Sequence, residues 1–125
     1  MPKRTDLRKI LVIGNDAELL RILDASLTEA GYLVLASLHG QGGVLACREY
    51  MPALVILDVQ LKGPMSGPQT YEQLRSLPAR ARIPRLLLGD PTLISDLGTD
   101  LCIRGPISPS DVLDRVRAFE VEFAL

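Results

Sequence analysis

Asp58 closes the apolar run Ala53-Leu54-Val55-Ile56-Leu57, and Asn15 and Asp16 follow a second such run, Ile10-Leu11-Val12-Ile13, across Gly14. Residues that close strand-length apolar runs stand where ligands and chemistry collect in a parallel α/β sheet, so these residues are the first candidates for chemistry. Gly89-Asp90 and Arg104-Gly105-Pro106 punctuate two further apolar runs in the same way. A plainer reading gives the same side chains structural work. Asp16 and Asp90 then cap a helix or turn, and Asp58 shapes the turn into Val59-Gln60. His39 stands alone before Gly40-Gln41-Gly42-Gly43, a run that does not fit a phosphate-loop pattern. Cys47 and Cys102 sit in apolar surroundings, match no metal-ligand spacing, and read as buried, reduced thiols.

The elements that must position these residues follow from hydrophobic period. Ile10–Ile13, Tyr32–Ala36, Ala53–Leu57, Leu86–Leu88 and Leu101–Ile103 have strand length, and the first is fully apolar, as a strand buried on both faces is. Leu19, Leu20, Leu23, Leu27 and Ala30 recur at helical spacing between a cap at Asn15 or Asp16 and a stop at Gly31. The glycines 40, 42 and 43 predict a turn, followed by a short helix through Val44, Leu45, Cys47, Tyr50 and Met51. A loop containing Gly63, Pro64, Gly67 and Pro68 precedes a helix marked by Tyr71, Leu74 and Leu77. The last helix carries Ser108 as N-cap, Pro109 in its first turn and Asp111 in a capping-box-like place, with Val112, Leu113, Val116 and Phe119 as its buried stripe. Strands alternating with helices predict a parallel, doubly wound α/β sheet, in which ligands collect beyond the carboxyl ends of the strands.

Composition bounds the function. The 125 residues fit one domain spanning 1–125, with no output domain expected after the last helix. Hydrophobic residues make up 47% and aromatic residues only 4%, so the core is aliphatic. Lys and Arg total 14 against 15 Asp and Glu, a net charge of -1, which argues against a nucleic-acid surface. No signal peptide or membrane-spanning run is visible, and free thiols suit a cytoplasmic setting.

Several segments carry a recognisable pattern in order. They are Ile10-Leu11-Val12-Ile13-Gly14-Asn15-Asp16-Ala17-Glu18-Leu19-Leu20, then Pro52 to Leu61 with Met65-Ser66-Gly67, Ile83-Pro84, Gly98-Thr99-Asp100 and Gly105-Pro106. Together, from Arg8 to about Phe119, they resemble the receiver domain of two-component response regulators. The resemblance implies a flavodoxin-like (βα)5 fold with strand order 2-1-3-4-5. The fourth helix is expected to be shortened, because Asp90 to Leu97 is brief and begins with Pro91.

In that family an aspartate attacks a phosphoryl donor while Mg²⁺ neutralises the phosphoryl oxygens. Asp58 falls on the phosphoacceptor position, and Gln60 on the residue whose backbone carbonyl contacts the metal. The acidic pair becomes Gly14-Asn15, or Asn15-Asp16 in a register shifted by one, so the tentative metal set is Asn15, Asp16, Asp58 and Gln60. Gly89 occupies the hydroxyl position, Gly105 the lysine position and Cys102 the aromatic position, while Pro106 is the expected cis-proline. Arg104 neighbours the lost lysine, but strand alternation is expected to point it to the opposite face. These departures predict weak or absent Mg²⁺ binding and an impaired switch. The expectation is a non-enzymatic, receiver-like phosphorelay module that meets a sensor histidine kinase, another signalling protein or its own copy, and neither nucleic acid nor a membrane. A phosphoacceptor using Asp58 at an unusual metal site is the alternative, and a flavodoxin-like small-molecule domain is less favoured.

Overall fold

The computed structural model of the protein describes residues 8–78, 83–94, 101–105 and 107–123. Five strands form one sheet: β1 (Lys9–Ile13), β2 (Leu33–Ser37), β3 (Leu54–Asp58), β4 (Arg85–Leu88) and β5 (Leu101–Ile103). All pairings are parallel and the order is β2-β1-β3-β4-β5, as the resemblance implies. Four α-helices cover it: α1 (Ala17–Glu29), α2 (Gly40–Tyr50), α3 (Gly67–Arg75) and α4 (Pro109–Phe123).

Strand alternation divides the core into two layers. Leu11, Ile13, Val55, Leu57 and Leu87 face one side, where Val44 and Cys47 of α2 and Tyr71 and Leu74 of α3 cover them. Ile10, Val12, Leu54, Ile56, Leu86 and Leu88 face the other, under Leu23 and Leu27 of α1 and Val112, Val116 and Phe119 of α4. Because β1, β3 and β4 are covered on both faces, their sequences are continuous apolar runs.

Most boundaries follow local chemistry. Asp16 caps α1 by accepting from the Leu19 N–H at 3.1 Å. Ser66 and Gln69 form a reciprocal capping box at α3, so Gly67 and Pro68, expected in the loop, belong to the helix. The segment after β4 is a 3₁₀ turn over Pro91–Leu93, where Asp90 accepts from Thr92 N–H and Oγ1 at 2.9 and 2.8 Å. That turn is what the described residues show of the shortened fourth helix.

One expectation fails: Gly40, Gly42 and Gly43 do not form a turn but open α2. Tertiary packing overrides their poor helix propensity. A Cβ on Gly43 would lie 2.5 Å from Ile13 Cδ1, and one on Gly40 would lie 2.0 Å from Thr70 Oγ1. The missing side chains let α2 approach both the sheet and α3. Cys102 is also corrected: it is half-buried, whereas Cys47 is buried, and both are free thiols.

Candidate functional site

The carboxyl ends of β1 and β3 meet at Gly14 and Asp58. Ile13 pairs with Leu57 in register, so the next residue of each strand emerges at the same mouth. A Cβ built on Gly14 would stand 3.3 Å from Asp58 Cβ and 3.9 Å from its Oδ2. The position facing this carboxylate therefore carries no side chain.

One polar side-chain atom of each of Asp58, Asp16 and Asn15 is held by a hydrogen bond. Asp58 Oδ1 accepts from the Gln60 N–H at 2.9 Å, closing a turn over Asp58-Val59-Gln60. Asp16 Oδ1 is engaged by α1, as described above. Asn15 Nδ2 donates to the Lys62 carbonyl at 2.7 Å, tying the start of α1 to the loop after β3. This last bond spans 47 residues of sequence, and no local signal announces it.

Asp58, Asp16 and Asn15 are the residues that would hold Mg²⁺. That ion asks for oxygen ligands in near-ideal octahedral geometry, usually with one or two carboxylates. Here Asp58 Oδ1 accepts from its own turn, Asp16 Oδ1 caps α1 and Asn15 Nδ2 donates to a carbonyl, so a cation would have to be held by Asp58 Oδ2, Asp16 Oδ2 and Asn15 Oδ1. Among the described residues, no group of three or more His, Cys, Asp or Glu side chains could hold a metal ion.

The rest of the rim is shaped by glycine. Gly89 has φ +118°, and a Cβ there would lie 2.8 Å from Val59 Cγ2. Its N–H donates to the Ile103 carbonyl at 2.9 Å, and its carbonyl accepts from Cys102 Sγ at 3.2 Å. Gly105 has φ +71° and open space around it. Gln60, Gly89, Asp90, Pro91, Arg104 and Gly105 line a cleft of about 450 Å³. Arg104 lines this cleft and also a second one with Cys102, Ile103, Asp111, Asp114 and Arg115, so it borders both sides of the sheet end. It lies one residue beyond the end of β5, where the period of two no longer governs direction. Its positive charge also helps hold the exposed Asp90 carboxyl below the usual carboxylate range, after the larger effect of the Thr92 hydrogen bonds. Pro106 and the Gly98-Thr99-Asp100 segment lie outside the described residues.

Burial raises the Asp58 pKa above the ordinary carboxylate value; the Gln60 N–H opposes that rise and the negative charge of Asp16 adds to it. The folded state consequently binds a proton more readily at Asp58 than the unfolded chain does. Stability from this group falls as pH rises from the unfolded carboxylate pKa through the folded one, and the cost of the buried charge persists at neutral pH. Asp58→Asn keeps the acceptor for Gln60 and removes the charge. Thermal melts at pH 7 are expected to rise by a few degrees in this variant, with the difference vanishing below the ordinary aspartate pKa. An unchanged gap between the two melts at acid and neutral pH would contradict this origin.

A parallel sheet in 2-1-3-4-5 order, with an aspartate at the mouth of its third strand, has the architecture of a receiver domain. No family model matches the chain. Among curated proteins, the transcriptional regulatory protein KdpE of Mycobacterium tuberculosis is 33% identical over 112 residues, covering 87% of this chain and 49% of that protein. The probable transcriptional regulator ycf27 of Pyropia yezoensis is 30% identical over 116 residues, covering 88% of this chain and 46% of that protein. The crystal structure of a putative response regulator from Chloroflexus aurantiacus matches with a TM-score of 0.81 at 22% identity, over 91% of this chain and 98% of that one. Sequence and fold together place the chain among the receiver domains of two-component response regulators. It spans about half the length of the curated relatives it matches. Among the described residues, no helix is long and apolar enough to cross a membrane.

Proposed function

We propose that this receiver domain signals through protein–protein contact without phosphorylation of Asp58. The observation that carries the reading is the empty place opposite Asp58: Gly14 presents no carboxylate there. A carboxylate is a weak nucleophile towards a phosphoryl dianion, and without a cation to neutralise the approaching charge the attack is electrostatically opposed. Gly105 supplies no cation to pair with a phosphoryl group, and Gly89 no hydroxyl to move towards one. A switch requires contacts that differ between two states, and these positions provide none.

On this reading the domain is a non-enzymatic, cytoplasmic, pseudo-receiver module that works without Mg²⁺. Its partner is a sensor histidine kinase, another signalling protein or a second copy of the chain. With 14 basic and 15 acidic residues it carries no net positive charge for nucleic acid.

One observation favours the alternative of a working phosphoacceptor: the Asp16 charge is felt at Asp58, so a second carboxylate is near. Incubation with Mg²⁺ and acetyl phosphate, followed by intact-protein mass spectrometry, separates the two. The proposal expects no phosphoryl adduct. Stoichiometric labelling that disappears in Asp58→Asn would establish the alternative.

A further inference from the structure

A cavity of about 470 Å³ lies between the start of α2 and the loop joining β3 to α3. Leu45, Pro64 and Met65 give it apolar walls, Gly40 and Gly42 bring the backbone of α2 to its side, and Lys62 adds the cation. Its size falls in the range of small-molecule sites, which are mostly apolar with a few polar groups that fix orientation. Gly40 lets α2 pack closely beside it. A Cβ on Gly40 would press against Thr70 Oγ1 and come within 3.2 Å of Met65 Sδ, so a larger residue would push α2 off the loop. Leu45 remains 49% exposed, a large aliphatic side chain left beside a concave apolar surface.

The electrostatics of the cavity have one sign. Lys62 lines it and no carboxylate does. His39 makes no side-chain cap to α2, which adds the partial positive charge of an uncapped first turn. The helix end alone would attract any anion weakly; the apolar walls select one with a hydrophobic body.

We propose that this cavity binds a small organic monoanion with an apolar body, of the aryl- or alkyl-carboxylate class. The anion faces Lys62 and the first turn of α2, and the hydrophobic part lies on Leu45, Pro64 and Met65. The cavity is lined by none of Gly14, Asn15, Asp58 or Gln60, so this site stands whether or not Asp58 is phosphorylated. The Lys62 carbonyl does accept from Asn15 Nδ2, so occupancy has a hydrogen-bonded path to the mouth of the sheet.

Titration with 4-phenylbutyrate, and separately with its neutral amide, tests the assignment through the ¹⁵N–¹H spectrum of the intact protein. The expected result is saturable shifts centred on Gly40, Gly42, Leu45 and Lys62, with the acid binding about fivefold tighter than the amide, the order of one exposed charge interaction. Lys62→Gln is expected to reduce the preference for the acid at least twofold while leaving the amide unaffected. Leu45→Gln, at an exposed position that leaves the fold intact, is expected to abolish both. Shifts that do not saturate, that centre elsewhere, or that are equal for acid and amide would overturn the proposal.

Discussion

Gly89→Thr is expected to lower folding stability by about 3 kcal/mol and to leave the domain without a hydroxyl switch. Two costs combine. At φ +118° the backbone lies where a β-branched residue is strongly strained, and the new Cβ would meet Val59 Cγ2 at 2.8 Å. Val59 is 1% exposed and has little freedom to withdraw. Relaxing φ would disturb the bonds that hold this residue to β5, the Gly89 N–H to Ile103 and the Cys102 thiol to the Gly89 carbonyl. Urea denaturation should show a large drop in midpoint with unchanged slope, and Gly89→Ala should show a smaller drop of the same sign. A Gly89→Thr protein as stable as the parent would mean that the end of β4 rearranges freely. On the structure as it stands, the hydroxyl position is closed by the backbone as well as lacking its side chain.

Gly14→Asp is expected to do the reverse, creating a cation site beside Asp58. Gly14 is not among the glycines with positive φ, so an L-residue fits its backbone. The new Cβ would sit 3.3 Å from Asp58 Cβ, a contact relieved by shifts of a few tenths of an ångström. Two carboxylates ~4 Å apart repel by about 4 kcal/mol at an effective dielectric near 20, and by less where water reaches them. The variant should therefore melt several degrees below the parent in the absence of divalent cations. Mg²⁺ should restore that loss, because a ligand that binds only the folded state stabilises it by mass action. Melting curves with and without Mg²⁺ read both effects. A variant indifferent to the ion would show that one added carboxylate is too few.

The contrast between these two positions marks how far the sequence could be read. The strands were legible because β1, β3 and β4 are buried on both faces and must be continuous runs of Ile, Leu and Val. Asp16 and Asp90 were legible as caps because capping is local chemistry. Gly40 and Gly43 misled because their role is set by Thr70 and Ile13, distant in sequence, while local propensity speaks only for a turn. The Asn15–Lys62 bond and the cavity beside it were invisible for the same reason: both depend on which loop the fold lays against α1 and α2. The sequence showed that Gly14 and Gly89 lack side chains, but only backbone geometry separates the one that can accept a side chain from the one that cannot.

The proposed function turns on Asp58 working without a cation. The most direct measurement is a Mg²⁺ titration of the unaltered protein, followed at the backbone amides of Gly14, Asp58 and Gln60. Their resonances are expected to stay in place, apart from small non-saturating drifts, well beyond cellular Mg²⁺. Saturable movement of these amides, lost in Asp58→Asn, would show a working metal centre and contradict the account.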